Sequence, residues 1–376
     1  KDGLGRHIGS CGPLNRSFLK CNTRVKNMKR KTICFISETG RVDSPLDDPS
    51  VRYRAYHPAE ILSKSGHLCS IQSAANFYKN PSFDYDVYVF HRPNMARPTF
   101  YQVVQGLRRL GRKMIADYDD LIFGSEEIAL CSSAVKNSTL TPERAIDAFA
   151  SNLEGLRVFD RVMVSTAPLA ERVREYNPGS NVQVVPNIVS DTLLIFQEKL
   201  GTHLLRRSAG TIGYFAGTKS HDRDFPVVEA ALHRVLSENS HFKLLIVGPV
   251  AVPKGLASLP NVSVTSVVNY LRLPSLMSKC STVIAPLEDS AFNACKSRVK
   301  FLEAALSGCR LIASPIPDMQ VIGSDHLTLA SDANDWYEAL SEPLNSVDLR
   351  TLSERNFTFL KEKRSLEGLF ELGELQ

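Results

Sequence analysis

The chain of 376 residues is long for one hydrophobic core and sufficient for two domains. Its composition, 43% hydrophobic and 23% charged, is that of ordinary globular material, and no apolar run approaches the roughly 18 residues of a membrane helix. The net charge of +5 is carried by one end: residues 1–31 hold nine Lys or Arg against one Asp, which leaves the remainder near −3.

Residues 1–29 show neither a sustained period nor a signal-peptide pattern. They read as a basic arm or linker. Such an arm can touch anionic lipid or nucleic acid, and a linker is the simpler reading. The body carries no basic, aromatic-laced face, so no nucleic-acid partner is expected. With Lys1 at its start and Met28 as its first methionine, the chain is expected to be joined to other modules of a longer protein.

Lys31-Thr-Ile-Cys-Phe-Ile-Ser37 is a first buried strand. A polar loop, 41–51, leads to a helix from Tyr53 to Ser65 that ends before Gly66. Strands follow at His67–Ile71 and Asp86–Phe90, then a helix from Pro98 to Leu110. A fourth strand, Lys113–Ala116, runs into Asp117-Tyr-Asp-Asp120. A helix from Pro142 to about Phe159 precedes strands at Arg161–Ser165 and Val182–Val185, which flank a helix starting near Pro168.

A break falls at Pro186-Asn-Ile-Val189, where Asn187 is expected to shape a hinge, and the alternation restarts at Thr211–Ala216. Helix 224–238, strands 242–247 and 262–265, helix 269–279 and strand 282–286 follow. Next come a helix over 293–307, strand 310–314, strand 327–330, a helix from about Asn334 and a last helical stretch over 347–371. Strands alternating with helices in two series predict an α/β chain of two doubly wound, parallel-sheet domains.

The eight cysteines form no C-x-x-C pair, and Cys34 and Cys309 sit inside apolar patterns. That suits small hydrophobes in a reducing compartment. The expected location is the cytoplasm, with peripheral contact at the inner face of the membrane.

Several constellations can carry chemistry. In Asn293-Ala-Cys-Lys-Ser-Arg-Val-Lys-Phe-Leu-Glu-Ala-Ala-Leu-Ser-Gly308, a continuous helix puts Asn293, Lys296, Lys300, Glu303 and Ser307 on one stripe. Cations there suit phosphates and a carboxylate suits ribose hydroxyls. The plainer reading is a solvated face with Lys300 and Glu303 paired at i, i+3. Gly213-Tyr-Phe-Ala-Gly217-Thr218-Lys219 is a strand-to-helix turn. It can cradle a diphosphate or be an ordinary βα turn.

Asp117-Tyr-Asp119-Asp120 ends a strand with three carboxylates. It reads as a base or acceptor-orienting group, as a capping loop, or as a D-x-D metal site, the last being disfavoured by the two-domain architecture. His91 and Arg92 follow the third strand, and His91 can contact a transferring sugar or be a core side chain. Arg52 and Arg54 lie after the first strand and can hold phosphate or form a solvated helix start. No His/Cys spacing suggests zinc, and no G-x-G-x-x-G follows either first strand.

Lys296-Ser-Arg-Val-Lys-Phe-Leu-Glu303, followed by Ala-Ala-Leu-Ser-Gly308 and Leu-Ile-Ala-Ser314, resembles the donor-binding segment of GT-B glycosyltransferases. It is most similar to the large retaining group called glycosyltransferase group 1 or family 4. In that group a Glu-x₇-Glu motif holds the nucleotide sugar. Glu303 matches the second Glu, Cys295 stands where the first would be, and Asn293 with Lys296 fits an Asn/Lys variant. The 213–224 turn resembles the first loop of the same donor domain, and Arg52-Tyr-Arg54 is similar to runs in bacterial members.

The resemblance implies two Rossmann-like domains facing a cleft, with 30–188 on the acceptor side and 189–346 binding the nucleotide sugar. Residues 347–376 would form a helix crossing back to the first domain. It implies transfer from a nucleotide-sugar donor to a glycan or lipid-linked acceptor in polysaccharide or glycoconjugate assembly. No metal and no cofactor beyond the co-substrate is implied, and anomeric configuration is retained. Glu303 would hold the ribose, while Lys296, Lys300, Asn293, Gly217, Thr218 and Lys219 complete the donor site. Asp119, Asp120 and His91 would be catalytic, and Arg52 and Arg54 would hold acceptor or phosphate. A sugar-nucleotide epimerase of the same double fold and a non-catalytic binding module remain as rival readings.

Overall fold

The β-branched and aromatic runs of the first half pair into one parallel sheet, and those of the second half into another. In the computed structural model, which describes residues 30–201, 210–217, 223–342 and 344–363, the first sheet contains β1 (Thr32–Ser37), β2 (Leu68–Ser73), β3 (Val87–His91), β4 (Lys113–Tyr118), β5 (Arg161–Val164) and β6 (Asn181–Val184). Their spatial order is β2-β1-β3-β4-β5-β6. The second sheet contains β7 (Thr211–Phe215), β8 (Lys243–Val247), β9 (Val262–Thr265), β10 (Thr282–Ala285), β11 (Arg310–Ala313) and β12 (Thr328–Leu329), in the order β12-β11-β10-β7-β8-β9. Every adjacent pair is parallel. Central strands such as β3, β10 and β11 are buried along their whole length, as parallel strands covered on both faces must be.

These orders fix where ligands can go. In each sheet the direction of winding reverses once, between β1 and β3 and again between β7 and β10. Crevices at the carboxyl ends of open α/β sheets form at such reversals. The loops that leave those four strands carry Ser50, Arg92, Gly217 and Leu287, and all four line one cleft.

Three departures from the expected elements bear on the site. The first helix starts at Pro49, with Asp48 as its cap, and widens into a π turn over Arg52–Tyr56 before continuing to Lys64. A helix at Asp191–Leu200, unexpected from the sequence reading, follows the break; Ser190 caps it and Gly201 ends it in the left-handed region. The expected 293–307 helix is two pieces, Ala291–Ala294 and Val299–Leu306.

The last helix, Ser346–Glu362, buries Phe357 and Leu360 in the cluster that holds Phe301 and Leu302 of the second domain and Val189 and Leu194 of the linker. Its end reaches Pro186 and Ile188. The described part packs on the second domain, and its end lies beside Pro186–Ile188, where the first domain closes. The basic arm of 1–29 and the residues after 363 lie outside the described residues.

The linker is clamped from the first domain. Arg54 is 1% exposed and its carboxylate partner Asp117 is fully buried, with Arg54 Nη2 at 2.6 Å from Asp117 Oδ1. Arg54 Nη1 also donates to the Val185 carbonyl at 2.6 Å and to Asn187 Oδ1 at 3.1 Å. His57, three residues on, bonds the Ile188 carbonyl through Nδ1 at 2.8 Å. This corrects the expectation for Arg54. Its donors are committed inside the protein, so it does not face phosphate.

Removing one partner of a buried pair strands the other charge, so Arg54→Ala is expected to lower stability by about 3–5 kcal/mol in urea denaturation. The expected signature is a lower denaturation midpoint. Burial also pushes the His57 imidazole down to about 4, against the opposing pull of its bond to Ile188. The unfolded chain then binds the extra proton at higher pH, so this contribution is complete above pH about 6.5 and falls as pH drops toward 4. Thermal melts between pH 7 and 4.5 are expected to fall more steeply for the wild type than for His57→Gln.

Candidate active site

The first-domain wall is built at the ends of β1, β3 and β4. Asp48 accepts from the Ser50 backbone N–H at 3.0 Å and so fixes Ser50 at the start of the helix. The π turn that follows turns Arg52 toward the cleft while Arg54 faces inward; such single-turn expansions often occur at functional sites. Arg52 Nη1 donates to the Leu46 carbonyl at 3.0 Å, and its guanidinium lies 4.3 Å from the ring centre of Tyr270 on the second domain.

Arg92 has φ of 52°, a left-handed conformation unusual for a residue with a side chain. The turn is held by its N–H donating to the Asp117 carbonyl at 2.8 Å. It aims the guanidinium at the acidic run, with Nε 2.8 Å from Asp119 Oδ1 and Nη2 3.8 Å from Asp120 Oδ2. Strain of this kind, on the order of 1–3 kcal/mol, collects at functional positions.

Ser50 Oγ donates to Asp119 Oδ2 at 2.5 Å and lies 2.7 Å from His91 Nε2. Because the hydroxyl donates to the carboxylate, it accepts from His91 Nε2–H, and the other ring nitrogen is Nδ1. That nitrogen is buried and has no hydrogen-bond partner. Burial alone would raise the Asp119 carboxyl, but Arg92 and the His91 contact outweigh it and hold Asp119 well below the usual carboxylate range. Asp119 is thus a fixed anion. His91 is 4% exposed and stands behind Ser50 rather than on the cleft surface.

The second-domain wall begins where β7 and β8 end. A Cβ added at Gly248, which has φ of 115°, would lie 1.9 Å from the Ala216 carbonyl oxygen, so only glycine lets these two strand ends approach. Gly217 lines the cleft beside them. Thr218 and Lys219 lie outside the described residues.

The broken 291–306 segment supplies the rest. Arg298 is pinned by Asp318, which accepts from its backbone N–H at 2.7 Å and from Nη2 at 2.5 Å. This clamp stops one helix at Ala294 and starts the next at Val299, so Lys296 and Ser297 project from a turn and not from a helical stripe. Lys296 Nζ reaches across to Asp120, 3.1 Å from Oδ1. Lys300 and Glu303 pair at 2.9 Å, as an i, i+3 pair should, and both also line the cleft. Asn293 departs from the expectation. Its amide donates to Asp224 Oδ1 and the Glu288 carbonyl, both at 2.9 Å, and it holds the loop after β10 instead of facing the cleft.

Cys295 is 1% exposed, its thiol is pushed up to about 11 by burial, and its carbonyl accepts from Thr166 of the first domain at 3.0 Å. It packs the domain contact and is no nucleophile. Asn187 Nδ2 donates to Ser297 Oγ at 2.9 Å and ties the linker to the same turn.

The cleft so formed has a volume of about 820 Å³, with Arg52, Arg92, Asp119 and Asp120 on one wall and Lys296, Lys300 and Glu303 on the other. Among the described residues no group of three or more His, Cys, Asp or Glu side chains could hold a metal ion. Sequence reasoning missed Ser50 and Arg92 as site residues. Both follow strand ends, and that position was the available signal.

Residues 210–346 match the family profile described as Glycosyl transferases group 1. No curated protein matches the chain. Among solved structures, sucrose-phosphate synthase from Thermosynechococcus elongatus is 15% identical with a TM-score of 0.58, covering 92% of this chain and 98% of that one. HepE from Anabaena, in complex with UDP and glucose, is 11% identical with a TM-score of 0.54, covering 92% and 99%. A mutant of TarM from S. aureus, in complex with Fondaparinux, alpha-GlcNAc-glycerol and UDP, is 12% identical with a TM-score of 0.52; the match covers 77% of this chain and spans 55% of that one. With two facing parallel-sheet domains the chain has the GT-B fold of these structures, and its second domain, residues 210–346, is similar to the Glycosyl transferases group 1 family.

Proposed function

We propose that the cleft binds a nucleotide-activated sugar against its second-domain wall and passes the sugar to a hydroxyl of a glycan or lipid-linked acceptor on the first. The observation that carries this reading is the convergence of Lys296, Lys300 and Glu303 opposite Arg52, Arg92, Asp119 and Asp120 in one cavity. In this reading the Glu303 carboxylate accepts from the ribose hydroxyls. Lys296 and the Gly217 turn balance the charge that grows on the departing diphosphate, which is the main electrostatic demand of sugar transfer. Lys219 joins them on the strength of the sequence.

On the other wall Asp119 is locked by Arg92 and Ser50, so Asp120 is the carboxylate left to meet the acceptor hydroxyl. Closure of the domains excludes water that would hydrolyse the donor. The UDP complexes of HepE and the TarM mutant, with the group 1 match, favour transfer over epimerisation or binding alone, and UDP as the first nucleotide to try.

The proposal includes retention of anomeric configuration, a role in polysaccharide or glycoconjugate assembly, and a cytoplasmic setting, which the six free described cysteines fit. It also includes peripheral contact with the inner face of the membrane through the basic arm. Among the described residues no helix is long and apolar enough to cross a membrane.

Glu303→Ala is expected to weaken binding of nucleoside diphosphate about 10- to 100-fold by calorimetry, the loss of charge-assisted bonds, with the far-ultraviolet spectrum unchanged. Unaltered affinity would remove Glu303 from the site. The proposal also has no metal and no cofactor beyond the nucleotide sugar. Each carboxylate at the end of β4 already has a cation beside it: Arg54 for Asp117, Arg92 for Asp119 and Lys296 for Asp120. Addition of EDTA is therefore expected to leave the transfer rate unchanged, and a strict need for Mn²⁺ or Mg²⁺ would contradict this part of the reading.

A further inference from the structure

We propose that Asp120 cages Lys296 until donor arrives, so that the donor diphosphate itself frees this carboxylate for the acceptor and makes the donor the first substrate to bind. The inference rests on the reading of the cleft given above. Lys296 comes from the 295–298 turn of the second domain and Asp120 from the end of β4 in the first. Nζ lies 3.1 Å from Oδ1 and 3.3 Å from Oδ2, with the two side chains 22% and 24% exposed. Arg92 approaches the same carboxylate from its own domain, 3.8 Å away. Two cations from opposite domains thus converge on one anion at the surface of the cavity, an arrangement that a phosphate group also satisfies.

The components suit an exchange. A lysine is a point charge with three donors on a flexible stem, so Nζ can turn from one anion to another without backbone movement. The stem is steered by Phe292, whose ring centre lies 5.0 Å from Nζ. The turn beneath it is fixed by the Arg298–Asp318 pair, by Ser297 with Asn187 and by the Cys295 carbonyl with Thr166. A diphosphate carries more negative charge than a carboxylate and attracts the ammonium more strongly at equal distance.

Asp120 gains from the release. While Lys296 sits on it, the carboxylate is occupied by the ammonium and is not open to an acceptor hydroxyl. Its Oδ1 is buried and makes no hydrogen bond, being held to Nζ by charge alone. Such an oxygen is suited to a hydroxyl donor once the ammonium has gone.

The test is a calorimetric titration of UDP and GDP into the wild type, Asp120→Asn, Lys296→Met and the double variant. Asp120→Asn is expected to tighten the nucleotide that the wild type binds on the order of five-fold, the worth of a partly exposed ion pair. Lys296→Met is expected to weaken it, and the Asn substitution is expected to have no effect in the Lys296→Met background. Equal tightening in both backgrounds would mean that Asp120 merely repels the nucleotide through space, and would overturn the cage. So would weakening by Lys296→Met with Asp120→Asn neutral, an outcome that leaves the donor site standing. Failure of the wild type to bind either nucleotide would sink the donor site and the cage together. Asp120→Ser repeats the comparison, with thermal melts to show that each variant is folded.

Discussion

The Arg54 guanidinium sets the relation between the two working surfaces of this protein. From inside the first domain it grips Asp117, the Val185 carbonyl and the Asn187 side chain. Through Asp117 it fixes the run that presents Asp119 and Asp120. Through Asn187, whose amide nitrogen reaches Ser297, it fixes the turn that presents Lys296. One buried charge therefore aligns acidic groups of one domain with basic groups of the other. A buried pair of this sort adds little net stability beyond what apolar residues would give; its value lies in specifying geometry, which here is the spacing of two walls.

The electrostatics of the cleft follow from that spacing. Arg92, Lys296 and Lys300 each have a carboxylate in reach, namely Asp119, Asp120 and Glu303. The cleft is close to neutral along its two walls, and each of these charges is held by its partner. A nucleotide sugar brings its own anion and must exchange for one already present. Groups held in advance need not reorganise when charge moves to the leaving diphosphate, which is how a preorganised site lowers a barrier. One of these pairs, Lys296–Asp120, joins the domains, so ligand exchange there and that contact between domains are one event.

Much of this was legible in the sequence. Alternating apolar strands and helices predicted two parallel sheets, and the reversal of winding in each then places the cleft at the ends of β1, β3, β7 and β10. Lys296, Lys300 and Glu303 were recognisable as a ligand-facing set, and they line the cleft. The reason offered, a single helical stripe, was wrong. Asp318, twenty residues downstream, breaks the helix at Arg298, and no local period records a contact of that range. Arg54 was misplaced for the same cause, since its partner Asp117 lies 63 residues away. Asn293 has the right neighbours in sequence but spends its amide on Asp224. The left-handed turn at Arg92 has no compositional sign at all. The 191–200 helix was different: Ser190 and Gly201 are ordinary start and stop signals, and the signal was present to be read.

The central claim is that a nucleotide sits between the domains with its ribose on Glu303. A crystal structure of the chain grown with UDP tests it most directly. The account predicts ribose hydroxyls within about 3 Å of the Glu303 carboxylate and the diphosphate beside Lys296, with Asp120 released. A nucleotide bound elsewhere, or ribose turned away from Glu303 while Lys296 still holds Asp120, would contradict it.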